Sequence, residues 1–434
     1  MTIATPPPRA PGRDPITVGV RPHQSRGPGA FLLLLSALAG CSGPTAPDGP
    51  PPLLEALPRS LTASETATIA ASNQFAFDLL NRIVTARPAE NAFVSPLSVS
   101  LALGMVMDGA RGETRDAMAA TLGFGTLPQT EINDGYRTLI DLLQTLDDQV
   151  EFRIANSLWT RHGFPVKQSF LDDAAHYFDA KAASLDFDSP TALTTINGWV
   201  SEKTNGKIPE ILSSISPDEI LFAVNAIYFK GLWRDQFKKS ETASATFHAT
   251  SGDQSVPFMH RVTEGTPYYQ TADFEAVDLW YGNSAHTMTI VLPRPTTTAT
   301  DLARQFTASG FAAVAAGLRP AEVELWLPRF KLEYGRSLGD DLKALGMGVA
   351  FTDLADLTGI ADDDLFITKV EHKTFVAVDE EGTEAAAATS VGVGVTSAPV
   401  RVPVRVDRPF LVLIRERFSG AILFLGRINA IPAA

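Results

Sequence analysis

The sequence predicts a single α+β domain. After residue 61, segments with helical periodicity dominate the first half of the chain and strand-type runs dominate the second, an order typical of this class. No internal repeat and no linker divides this part of the chain. Hydrophobic residues make up 45% and charged residues 20% of the 434 residues, which is ordinary for a globular protein with a large core. We therefore expect one domain over residues 61–434.

Composition excludes several classes of site. The net charge is −13 and no basic stretch interrupts it, so we expect no nucleic-acid partner. Seven histidines are scattered without metal-ligand spacing, so we expect no metal site and no cofactor. Cys41 is the single cysteine, which leaves no intrachain disulfide. The stability of the domain must therefore come from packing.

The first 40 residues are typical of an export signal. An apolar run over residues 29–40 follows Arg26 and is too short to span a bilayer. The sequence LAGC at 38–41 resembles the bacterial lipoprotein box, in which Cys41 would become the lipidated first residue. A plain secretory signal with a chance cysteine is the alternative. Residues 1–25 are long and rich in Pro and Arg, which leaves a downstream start codon open.

Residues 41–60 are predicted to be a tether. Positions 42–58 are rich in Pro and Gly, and we expect them not to pack. The protein would then be exported and held at a membrane only through a lipid on Cys41, in the periplasm or at the cell surface. Without the lipid it would be extracellular.

Helical spacing and strand-type composition predict the elements in order. Helices are expected over 67–84 with Ser64 as N-cap, and over 97–108, from Gly112, 169–178, 196–203, 301–309 and 338–345. Strands are expected over 152–159, 221–229, 275–280, 288–292, 322–327, 375–378, 410–415 and 422–428. The run at 221–229 is almost continuously apolar, which indicates a strand buried on both faces.

One stretch fits two conformations. From residue 383 to 396, odd positions are small or β-branched and even positions are polar or tiny, a strand pattern of about 14 residues and far longer than usual. Yet four consecutive alanines and two isolated glycines pack poorly, and Gly382 supplies a pivot at the start. The pattern suits both an exposed loop and a strand inserted in a sheet.

The start of this stretch closely resembles the reactive-loop hinge of inhibitory serpins. The matching residues are Glu380, Glu381, Gly382, Thr383, Glu384, Ala385, Ala386, Ala387, Ala388 and Thr389. Further segments resemble serpin motifs in the family's order: NAFVSPLS at 91–98, TNGKI at 204–208, NAIYFKGLW at 225–233, VEHK at 370–373, RPFLVLI at 408–414 and GAILFLGR at 420–427. The resemblance implies the serpin fold, with helices around a large, mostly antiparallel central sheet, smaller sheets, and an exposed reactive loop near the C-terminus.

The resemblance also implies roles for particular residues. It places Ser95, Asn225 and His372 in the shutter, where the central sheet must part, with His372 hydrogen-bonded near the other two. Trp233 would pack at the breach, where the loop first enters. His372 as a catalytic base and Trp233 as a ligand platform are the alternatives, but no nucleophile signature accompanies His372.

The family's spacing from Gly382 selects Thr396-Ser397 as the bond that a protease attacks. Counting back from Arg408 suggests a bond about two residues later. Residues 393–396 are neither basic nor aromatic, which favours elastase-like or subtilisin-like targets over trypsin-like ones.

The resemblance implies an inhibitor and not an enzyme. A serine protease would form a covalent acyl complex with this chain, acting as a monomer, and would be trapped as the cleaved loop inserts into the sheet. A non-inhibitory serpin that binds or carries another molecule is the alternative. A surface hydrolase is a third hypothesis, but the sequence carries no catalytic-triad or metal signature for one.

Overall fold

The computed structural model describes residues 51–384 and 401–432. The helices in this part are α1 Ala63–Ala86, α2 Pro96–Asp108, α3 Gly112–Thr121, α4 Gln129–Gln144, α5 Gln168–Phe178, α6 Pro190–Lys203, α7 Ala299–Gln305, α8 Ala308–Gly317 and α9 Gly339–Leu342. The strands are β1 Ala92–Val94, β2 Val150–Arg161, β3 Ala180–Leu185, β4 Leu221–Leu232, β5 Ala243–Ala249, β6 Gly252–Gln270, β7 Phe274–Trp280, β8 His286–Pro293, β9 Arg319–Pro328, β10 Phe330–Ser337, β11 Glu371–Val378, β12 Gly382–Thr383, β13 Val402–Arg405, β14 Phe410–Glu416 and β15 Ile422–Ile428.

The strands form two sheets. One has six strands in the order β10-β11-β12-β4-β2-β3, and the other has nine, β1-β15-β14-β8-β7-β6-β9-β13 with β5 beside β6. Only the β2/β3 and β9/β13 pairs are parallel among the described strands. The predicted α+β class with mostly antiparallel sheets is therefore confirmed.

Helix α1 begins earlier than its apolar periodicity indicates. Thr62, and not the predicted Ser64, is the N-cap, because its hydroxyl accepts the N–H of Glu65 while the Glu65 carboxylate accepts the N–H of Thr62. Arg59 also donates to that carboxylate. Burial raises the pKa of Glu65, but these hydrogen bonds outweigh it and lower the pKa to about 2. The capping box thus starts the helix at Ala63, about one turn before the predicted start at residue 67.

Several elements were not predicted, and helix α4 is the clearest case. Its buried residues Ile132, Tyr136, Leu139 and Leu143 follow helical spacing, so the period was present in the sequence. The missed strands β3, β5, β6 and β10 carry many exposed polar positions, which weakens the strand pattern.

Part of the predicted tether packs on the domain. Leu54 and Leu57 lie against the core, the N–H of Leu54 donates to the carbonyl of Asn283, and Arg417 donates to the carbonyl of Leu54. The expectation that residues up to 58 do not pack is therefore wrong for this part, because the two leucines find apolar surface. Cys41 lies outside the described residues.

No helix within residues 51–384 and 401–432 has both the length and the apolar character needed to cross a membrane.

Candidate functional site: the hinge and the six-stranded sheet

A tight turn brings the predicted hinge into the six-stranded sheet. After β11 ends at Val378, the carboxylate of Asp379 accepts the N–H groups of Glu381 at 2.9 Å and Gly382 at 3.1 Å. The chain then returns antiparallel as β12, with Thr383 opposite Val378. This turn places the hinge residues Gly382 and Thr383 between β11 and β4.

The position of Gly382 admits no side chain. It pairs with Leu232 of β4, and a Cβ atom at Gly382 would lie 2.1 Å from the carbonyl oxygen of Gly231. The sequence predicted this glycine as a pivot, and the structure adds a steric reason for it.

The acidic pair before the glycine is held by cations and hydroxyls. Lys239 Nζ lies 2.5 Å from the Glu381 carboxylate, while Thr242 donates to Glu380 at 2.8 Å and Arg329 lies 3.4 Å from Glu380. Burial raises the pKa of the Glu380 carboxyl, but the hydrogen bond from Thr242 and the charge of Arg329 outweigh it, so the net pKa is lowered. The Glu380 carboxylate therefore anchors the turn in its charged form, and Lys239 holds the side chain of Glu381.

Trp233 lies where the sequence placed it, at the end of β4 beside the turn. Its backbone N–H donates to the carbonyl of Glu381 at 2.8 Å, and its indole N–H donates to the carbonyl of Asp379 at 2.9 Å. Its ring stacks on Tyr281 with centroids 4.5 Å apart. Trp233 thus combines core packing with direct support of the hinge.

The two residues that follow Gly382, Thr383 and Glu384, point to opposite faces of the sheet. Thr383 is buried, and its hydroxyl lies 2.6 Å from that of Tyr281, whose pKa burial raises so that it stays a neutral phenol. Glu384, at one of the polar even-numbered positions, has a side chain only 3% exposed and lies 3.4 Å from Lys207. Its side chain is covered because Lys207, in the turn after α6, approaches it.

Two of the predicted shutter residues lie farther along the same strands, Asn225 on β4 and His372 on β11, and Ser95 is the N-cap of α2. The N–H of Ser95 donates to Nε2 of His372 at 3.0 Å, and the hydroxyl of Ser95 donates to the carbonyl of Leu423 at 2.7 Å. His372 is fully enclosed, and burial lowers its pKa to about 4, so the ring is a neutral acceptor. This geometry suits a structural histidine.

Asn225 does not bond to His372 as expected. Its amide donates to Asn156 at 2.7 Å, and Asn156 in turn donates to the carbonyl of Phe178. The reason is that no backbone pairing joins β4 directly to β11 within the described residues. A cavity of about 240 Å³ lies there instead, lined by both strands and by α2.

The far end of the loop is anchored on the other sheet. Arg401 forms an ion pair with Glu322 at 2.6 Å, and β13 continues parallel to β9. The remaining predicted residues lie outside the described residues and stay predictions: Ala385, Ala386, Ala387, Ala388, Thr389, Thr396 and Ser397.

Sequence reasoning missed several partners of the hinge and shutter. They are Tyr281, Lys239, Thr242, Arg329, Asn156 and Thr374, whose hydroxyl donates to the carbonyl of Phe93 at 2.5 Å. No local pattern marks them, because each acts on a segment distant in the chain.

Comparison with known proteins agrees with this geometry. The family model "Serpin (serine protease inhibitor)" matches residues 70–431. The leukocyte elastase inhibitor of Bos taurus is 36% identical over 377 residues, covering 83% of this chain and 98% of that protein.

Solved serpin structures are also similar. The thermophilic serpin tengpin in its native state gives a TM-score of 0.78 at 28% identity, covering 88% of this chain and 97% of tengpin. Human thyroxine-binding globulin in complex with its hormone gives 0.79 at 27% identity, covering 86% of this chain and all of the globulin. The hinge between β11 and β4, the shutter contacts and these matches together establish that the chain belongs to the serpin family.

Proposed function

We propose that this protein inhibits serine proteases as a suicide substrate. The proposal is carried by the position of Gly382 and Thr383, which pair with β11 on one side and with β4 on the other. In the described chain, β11 and β4 do not pair directly with each other. The two strands are already spaced to admit a strand at the point where the loop begins. An ordinary surface loop would not begin inside a sheet.

Inhibition would begin with cleavage of the Thr396-Ser397 peptide bond and formation of an ester with the protease. The protease serine gives its proton to the protease's general base and attacks the carbonyl carbon of Thr396. The bond to Ser397 then breaks and the new amino group of Ser397 takes up that proton, while the C-terminal part of the chain stays in the fold through β13, β14 and β15. The N-terminal part, still esterified to the protease, then adds to the sheet as a strand between β4 and β11.

Insertion has a sufficient driving force. A further dozen or so backbone hydrogen bonds at about 0.5 to 1.5 kcal/mol net each give on the order of 10 kcal/mol. That is comparable with the stability of a whole domain. Such a free energy is enough to distort the attached enzyme before water completes hydrolysis.

The target class follows from the residues at the bond. Val395-Thr396 fits a shallow apolar pocket, as in elastase-like or subtilisin-like enzymes. The name of the bovine relative, leukocyte elastase inhibitor, agrees with this assignment.

We also propose export and lipidation at Cys41, supported by the LAGC sequence.

Incubation of the full chain with pancreatic elastase, a subtilisin and trypsin tests the proposal. We expect a complex with one of the first two that survives SDS and boiling. A non-inhibitory serpin, the class of function suggested by the thyroxine-bound globulin, would be cleaved within residues 385–400 without any such complex.

A further inference from the structure

A polar cavity of about 240 Å³ lies near the hinge turn and has no role in the mechanism above. Its walls include Arg234, Arg261, Asp278 and Trp280, with Asp235 and Glu264 as exposed residues of the lining. Arg261 lies over the ring of Phe237 at 4.6 Å, and the N–H of Phe237 donates to the carbonyl of Glu380 in the turn.

Arg261 is an unusual residue to find in this position. It is only 8% exposed, and its Nη1 is buried with no hydrogen-bond partner in the described chain. Burial lowers the pKa of Arg261 to about 10, so the guanidinium still carries its charge at neutral pH. A buried charge without a partner is strongly destabilising in general.

A second unmet donor lines the same cavity. The indole Nε1 of Trp280 is buried and also lacks a partner among the described residues. Arg417 lies 4.8 Å from the ring of Trp280, which adds positive charge on this side. Two N–H donors, one of them cationic, therefore need an acceptor in one place.

The protein's own carboxylates do not supply that acceptor in the described chain. Asp278 accepts from Thr289 through one oxygen and from Arg415 through the other, each at 2.6 Å. Asp235 and Glu264 are exposed, and although the charge of Asp235 acts on Arg261, no hydrogen bond joins either carboxylate to Arg261 in the described chain. The donors of Arg261 and Trp280 are thus left without an acceptor in the buried part of the cavity.

We propose that this cavity binds a small oxyanion, a phosphate, sulfate or carboxylate group. The forked donors of Arg261 match two oxygens of such a group, the indole N–H of Trp280 serves a further oxygen, and Arg234 adds a second cation in the wall. Water would satisfy the donors but not the charge, which is why an anion is favoured. The proposal is independent of protease inhibition.

Isothermal titration calorimetry on the full chain tests it, with sodium phosphate, sodium sulfate and sodium citrate titrated separately. Sodium chloride at matched ionic strength is the blank. We expect saturable binding at one site for at least one oxyanion, and the three titrations distinguish phosphate, sulfate and carboxylate chemistry.

Variants assign the site. Arg261→Met should weaken binding by about tenfold or more, because charge-assisted hydrogen bonds are lost. Trp280→Phe keeps an aromatic ring but removes the indole N–H, and it should weaken binding several-fold. This variant still tests the proposal if Arg261→Met fails to fold. Arg319→Gln, at an exposed arginine bonded to the carbonyls of Ala316 and Leu318, should leave binding unchanged. Absence of saturable binding in the wild type, or unchanged affinity in both cavity variants, would overturn the proposal.

Discussion

The hydroxyl of Thr383 lies 2.6 Å from the hydroxyl of Tyr281 inside the six-stranded sheet. Tyr281 in turn stacks on Trp233, so three segments distant in sequence meet at the first residues of the hinge. A change at Thr383 therefore acts directly on the entry point of the proposed strand.

Thr383→Arg should convert the inhibitor into a substrate. Thr383 is already buried beside Tyr281 in the uncleaved chain, so an arginine here would be driven out of the sheet. Insertion of the loop would then require this cationic side chain to be desolvated, which costs several kcal/mol. The measurement is the stoichiometry of inhibition of an elastase, together with the ratio of cleaved chain to SDS-stable complex. Thr194→Arg, at an exposed position on α6, is the matched control. An unchanged stoichiometry for Thr383→Arg in a folded protein would contradict the insertion mechanism.

Cleavage is predicted between Thr396 and Ser397 by an elastase-type enzyme, with little inhibition of trypsin. A shallow pocket discriminates weakly between threonine and valine, by a factor of about a hundred at most. Cleavage after Val395 would therefore leave the target class unchanged. Mass spectrometry of the C-terminal fragment after denaturation identifies the cleaved bond. Rapid trypsin inhibition with cleavage after Arg401 or Arg405 would refute the assignment.

Cleaving the loop should raise the melting temperature sharply. The freed strand can then insert between β4 and β11, which do not pair with each other within the described residues, and form backbone hydrogen bonds to both. Nicked surface loops do not normally stabilise a domain. Differential scanning calorimetry before and after limited proteolysis within residues 392–397 checks this. Equal transitions would favour the non-inhibitory alternative.

Stability should fall as the pH decreases from 6.5 towards 4. The folded-state pKa of His372 is about 4, below its ordinary value of 6.5, so only the unfolded chain binds the proton in this range. The loss at pH 4 is about 3 kcal/mol for this group. Burial lowers the pKa of His286 to about 4 as well, so its contribution has the same sign.

His372→Asn should be less stable at pH 7 but show a shallower dependence on pH between 6.5 and 4, since its side-chain oxygen can still accept from Ser95. Urea unfolding at several pH values measures this. His162→Asn, at an exposed histidine, should keep the slope of the wild type. An identical slope for His372→Asn would mean that His372 is already protonated in the fold.

Cys41→Ser should abolish lipidation and release the domain in soluble form, because the single thiol carries the proposed anchor. Membrane fractionation with metabolic palmitate labelling measures both effects. Ser42→Ala, which leaves the thiol in place, is the control. Membrane association that persists in Cys41→Ser would remove the lipoprotein assignment.

Much of the fold could be predicted from short segments. The apolar run of β4, the period of α2 and the strands at the C-terminus are local patterns, and each is confirmed within a few residues. The strand pattern beside Gly382 is also visible without any partner, because small residues occupy alternate positions, but its role as a hinge came from the resemblance to serpins.

Only the tertiary structure decided which groups meet. Four contacts join segments distant in sequence: Thr383 with Tyr281, Glu384 with Lys207, Asn225 with Asn156, and Arg261 with the ring of Phe237. Local periodicity fixes which face of an element is buried, since it depends only on the residue spacing within that element. The partner of a buried polar group depends on which distant element packs against it, and that is determined only when the whole chain is folded.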